Sequence, residues 1–176
     1  MAGGLVVRRG LTVCYTCELV ALAVWIGGLV VIMAAVIPAV FNSFGMEPGG
    51  RFLTRVFDGY NRIVFGAIVI LLGTAAFRGW ASRLDGFAEA ALTPIELAVL
   101  IAMTVVAALV GLVLGPESVT LQEQAFTAQD DEARKAALDD FFRSHTVVRG
   151  LYGLNLGLGI ALVGVKVKGW MNEVKR

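Results

Sequence analysis

Charged side chains disappear from this chain in four long stretches, and the points where charge returns mark their ends. From Leu19 to Phe41 there is no Asp, Glu, Lys or Arg, which exceeds the roughly 20 residues that a helix needs to cross a hydrocarbon core. Arg8 and Arg9 precede this stretch as they would in a secretory signal. Its length is too great for a signal's apolar region, so a membrane helix over about 15–41 is predicted. Pro38 should kink or end that helix. In the second stretch only Ile63 to Phe77 is uncharged, too little by itself. Phe52, Val56, Tyr60 and Val64 recur every fourth residue, which predicts a helix starting after Pro48, amphipathic over about 50–60 and membrane-spanning over about 60–80. A third span over about 94–115 is announced by Thr93 as N-cap, Pro94 at the first helical position and Glu96 completing a capping box; Gly115 and Pro116 close it.

The polar stretch from Glu117 to Ser144 is long for a connection between membrane helices. Ala133, Ala137 and Phe141 repeat at four-residue spacing against a run of charges, so an amphipathic helix over about 118–145 is predicted. The fourth span runs over about 146–166 and ends at Lys166 and Lys168. The expected fold class is therefore all-α: a single domain forming an integral membrane four-helix bundle, with an additional amphipathic helix between the third and fourth spans. Gly27 and Gly28 in the first span, and Gly153 and Gly157 at GxxxG spacing in the fourth, are the expected points of close helix packing within the bundle.

Composition agrees with this class. The chain has 176 residues, is 57% hydrophobic, and has a mean hydropathy of +0.77, too apolar for a soluble domain of that size. A formal net charge of +1 provides no basic field for nucleic acid, and nucleic acid is excluded as a partner. Lysines and arginines divide almost evenly between the two sides. The short segments beside the spans are more basic on the side of the termini, through Arg8, Arg9, Arg78, Arg83, Lys166, Lys168, Lys175 and Arg176. That bias places both termini in the cytoplasm, in a membrane expected to be the bacterial cytoplasmic one.

Two groups of residues carry candidate chemistry. Cys14, Cys17 and Glu18 share a helix face with Ala21 and Trp25, and as thiolates the cysteines could take a soft metal or cycle as a dithiol. The competing reading is that both are small apolar residues at a helix start. On the opposite side, His145, Arg149 and Tyr152 share a face of the fourth helix, and Asp58, Tyr60 and Arg62 lie at similar depth on the second. Arg149 is expected to pair with Asp58, as a lock between helices or as part of a substrate or proton path. His145 is the single histidine, which excludes bis-histidine haem. No nucleophile with its base, carboxylate dyad or phosphate loop appears, so neither enzyme activity nor a cofactor is expected.

Trp25-Ile26-Gly27-Gly28, Ile37-Pro38-Ala39-Val40-Phe41, Phe142-Arg143-Ser144-His145 and Asn155 together resemble the pattern of the domain-of-unknown-function 4149 family, which includes the transmembrane protein 205 group. The resemblance implies a four-span membrane module without a defined activity. Members often carry a histidine near the start of the first span, where this chain has Cys17 and Glu18, a departure that weighs against an inherited metal or haem role. Besides the lipid bilayer, the expected partner is a larger membrane complex or further copies of the chain, with the protein as an accessory or structural subunit. Two alternatives stand beside it: a small transporter or metal/drug-resistance protein using Asp58, His145 and Arg149, and a membrane thiol-redox or metal-binding protein using Cys14 and Cys17.

Overall fold

A computed structural model describes residues 2–174; Lys175 and Arg176, counted above on the terminal side, lie outside the described residues. It contains six α-helices: α1 (Ala2–Val31), α2 (Ile37–Phe44), α3 (Met46–Ala81), α4 (Pro94–Leu109), α5 (Gly115–Thr127) and α6 (Asp131–Val174). The helices join into four rods, Gly4–Phe44, Met46–Ala81, Ala88–Thr127 and Asp131–Gly169, each long and apolar enough to cross a membrane. All of them overrun the apolar windows. A helix that has met its backbone hydrogen bonds in lipid has no reason to unwind at the membrane surface while its sequence still favours helix. The polar stretch after Gly115 is helical, as its spacing predicts. It is shared between two helices: α5 continues the third rod to Thr127, and Asp131 opens the fourth.

The prolines of the first and third rods do not end them. A π-helical turn over Ile32–Val36 precedes Pro38, and another over Val110–Leu114 precedes Pro116. Proline lacks an N–H and its ring crowds the carbonyl four residues back. Each wide turn absorbs both defects: Ile37 N–H donates to Ile32 O and Gly115 N–H to Val110 O, one residue further back than in an α-helix. At Gly115 the turn also requires glycine, since a Cβ would lie 2.8 Å from the Val110 carbonyl oxygen.

The bundle is closed along seams of alternating three- and four-residue spacing. In α1 and the turn that follows, Glu18, Leu22, Trp25, Leu29 and Ile32 are buried; in the third rod, Glu96, Leu100, Met103, Ala107 and Val110. α3 buries Tyr60, Val64, Ala67, Leu71, Thr74 and Arg78, and α6 buries Val148, Tyr152, Asn155, Gly159, Leu162 and Lys166. This 3.5-residue period is that of helices coiled around one another with a left-handed twist. The first and second hairpins repeat one design: an acid opens the seam of the first helix, a π turn and a proline follow at the same distance from it, and a base closes the seam of the second helix.

Beyond the apolar windows, α2, the start of α3, α5 and the start of α6 form a helical tier on the side away from the termini. Arg51 ties the start of α3 to α5, donating to both oxygens of Glu123 at 2.8 Å and lying over the Phe126 ring at 5.4 Å.

Candidate functional site

Each of the four rods contributes one buried charge at the terminal end of the bundle: Glu18 from α1, Arg78 from α3, Glu96 from α4 and Lys166 from α6, between 2% and 8% exposed. Arg78 occupies the middle. Its Nη1 donates to Glu18 Oε2 at 3.1 Å and to Glu96 Oε1 at 2.7 Å, its Nη2 to Glu96 Oε2 at 3.3 Å, and its Nε to the Ala90 carbonyl at 3.1 Å. Lys166 Nζ closes the ring, reaching Glu18 Oε2 at 2.5 Å and also bonding Glu96 Oε1. The Tyr15 ring covers the guanidinium at 4.9 Å. Arg78 Nη1 also donates to Glu18 Oε1 at 3.3 Å, so every carboxylate oxygen has a partner, and two carboxylates and two cations sum to zero, which is how charges persist at low exposure.

The local sequence accounts for each position. All four residues extend an apolar seam by one step, so the geometry that buries Leu22, Thr74, Leu100 and Leu162 also directs these charges inward. Thr93 accepts from the Glu96 amide at 3.2 Å, the predicted N-cap. The reciprocal half of the capping box is absent, because the Glu96 carboxylate turns to Arg78 and Lys166 instead. Arg78 gains its contact with Ala90 O from the turn between α3 and α4, where Gly86 has φ 81° and the chain folds back over the bundle end. A cavity of about 10 Å³ is lined by Glu18, Glu96 and Lys166 of the quartet together with Leu71, Leu92, Leu100 and Leu162; the leucines keep the rest of the surroundings apolar and the ionic contacts strong.

The sequence-predicted clusters are rearranged. Asp58 pairs with Arg62 at 2.8 Å, one turn away on the same helix, and both are exposed; the expected pair of Asp58 with Arg149 does not form. Arg149 and His145 are exposed, the latter stacked on Phe141 with ring centroids 5.5 Å apart. Both lie off the seam, so neither is turned into the bundle where a partner from another rod would be needed. Tyr60 and Tyr152 do come together in the core, with ring centroids 6.3 Å apart. Tyr60 donates to the Trp25 carbonyl at 2.9 Å and Tyr152 to Asn61 Oδ1 at 3.0 Å.

Cys14 and Cys17 are free and half-buried, and Glu18 serves the quartet rather than the thiols. Among the described residues no three His, Cys, Asp or Glu side chains converge as a metal site. Of the glycines singled out, Gly28 packs against the Tyr60 ring, where a Cβ would stand at 3.1 Å, while Gly27, Gly153 and Gly157 face open space. Close packing in the fourth rod falls instead to Gly159, whose Cβ would come within 2.8 Å of Ile26. In a bundle with a 3.5-residue seam, the inward glycine is the one in step with Tyr152, Asn155 and Leu162.

Sequence reasoning missed Arg78, Glu96 and Lys166 as a site. Arg78 reads as one of the basic residues beside a span, Glu96 as part of a capping box and Lys166 as the end of a span. The available signal was positional, each being in step with the buried seam of its helix.

Fold and site together define an integral, multi-pass membrane protein, a four-helix bundle closed at one end by a neutral network of buried charges. The family model of the domain of unknown function DUF4149 matches residues 20–127, and the chain belongs to that family. No curated protein matches the chain, and no solved structure does.

Proposed function

We propose that this protein is a structural membrane module, an accessory subunit or packing partner in a membrane complex, with both termini in the cytoplasm of a bacterial cell. The observation carrying this reading is the closure of the quartet. All four spans are tied at one level by charges that satisfy one another, an arrangement that fixes helix register and leaves no carboxylate oxygen free for a ligand. A bundle held in this way suits the presentation of a rigid surface. The outer tier provides one: Phe44 and Phe52 stack at 5.9 Å and are exposed, as are Met46 and Phe142. Aromatic and methionine side chains are enriched where proteins dock. The exposed positions of Asp58, His145 and Arg149 lend no comparable support to a transport path.

Native mass spectrometry of the protein extracted with its surrounding lipid tests the proposal. A stoichiometric protein partner, lost when Phe44 and Phe52 are both changed to serine, is the expected result. A lone chain carrying a metal ion or small organic molecule would overturn it.

A further inference from the structure

Halfway along the bundle lies a second cavity of about 10 Å³, to which all four rods contribute: Trp25, Tyr60 and Asn61, Val110, and Tyr152 and Asn155 line it. Asn155 is 5% exposed. Its Nδ2 reaches the Met103 carbonyl at 3.5 Å, while its Oδ1 is buried and has no hydrogen-bond partner. A buried amide oxygen without a donor is costly at any depth, and most of all inside a membrane. The seam does not itself demand an amide here, because the first hairpin places Ala67 at the corresponding step. The third rod opens its π turn at Val110, on the wall of the same cavity, and such turns often accompany binding sites.

We propose that this cavity binds one water molecule, held by Asn155 Oδ1. The chemistry of the lining selects it. The Tyr60 and Tyr152 hydroxyl protons are already engaged with Trp25 O and Asn61 Oδ1, so the capacity left on both hydroxyls, as on Asn155 Oδ1, is for accepting hydrogen bonds. Asn61, whose amide can donate, lines the same space, so the occupant must donate to these oxygens and be able to accept as well. An ion of either sign would sit uncompensated among neutral groups. The volume matches one water-sized sphere, and a buried water needs two to four polar partners, which this lining supplies. The water thereby links the second and fourth rods at the level where the quartet does not reach.

The test is solid-state NMR of the full chain in lipid bilayers, reading polarisation transfer from water to the Asn155 side-chain amide. Gly157, on the open face of the same helix, serves as the control. Transfer at Asn155 that is slow to exchange and clearly stronger than at Gly157 is expected. In Asn155→Leu, transfer from water to the Tyr152 hydroxyl should disappear while the protein keeps its helicity. No transfer at Asn155, or transfer equal to that at Gly157, would overturn the proposal.

Discussion

Replacing Lys166 with methionine removes one cation from a closed quartet, and its effect can be worked from the geometry. Lys166 contacts both Glu18 and Glu96 with side-chain exposures of 3–7% among the three. At an effective dielectric of ~20, a charge contact near 3 Å is worth about 5 kcal/mol before desolvation is subtracted. The variant leaves two carboxylates facing one guanidinium, an uncompensated negative charge in an apolar surround. Removing one partner of a buried pair costs about 3–5 kcal/mol, and K166M should lie in that range. Glu18→Gln alone leaves the opposite imbalance and should cost about as much. In the double variant the residual pair is Arg78 with Glu96, which retains its two-pronged contact at 2.7 and 3.3 Å and sums to zero. The losses should therefore fall well short of additive, with a coupling of about 2–3 kcal/mol. Reversible unfolding in mixed micelles by rising SDS, followed by circular dichroism, measures all four proteins. Strictly additive losses, or a K166M protein within about 1 kcal/mol of the parent, would refute the neutral-quartet reasoning.

Three further outcomes follow from the same structure. Gly159→Ala drives a methyl into Ile26 and should destabilise by about 1–2 kcal/mol, whereas Gly157→Ala, facing open space, should be neutral or stabilising by up to about 1 kcal/mol through helix propensity; the same SDS titration separates them, and equal effects would place the seam wrongly. Gly115→Ala sets a Cβ against the Val110 carbonyl and should cost about 1–3 kcal/mol, with altered backbone carbonyl shifts at Val110 in NMR; unchanged shifts would mean the turn is not π-helical. Asp58→Asn and Arg149→Ala should each change stability by less than about 0.5 kcal/mol, because both side chains are exposed and a solvated pair contributes little; a larger loss for either would restore the sequence-predicted cluster.

Hydropathy alone determined the class of this protein. Four uncharged stretches in a chain this apolar can satisfy their backbone only as membrane helices, and the Thr93–Pro94 start of the third span is written in local chemistry. Tertiary structure decided which charges matter. Arg78 and Arg149 both end or flank a span, and helix geometry alone cannot tell the one that will snorkel from the one that will be buried. That choice depends on whether three other rods bring opposite charges to the same level, and this follows from the seam phase of all four helices together. Glu96 shows the same limit: its place three residues after Thr93 is right for a capping box, yet its carboxylate meets two cations delivered from distant parts of the chain. The prolines were visible as breaks, but continuation through π turns required neighbours packed closely enough to make an unwound end more costly than a widened turn. Asn155 stands in the sequence as one polar residue in an apolar run, and only the packed bundle reveals that it lines a cavity of one water's size with its oxygen left unpartnered.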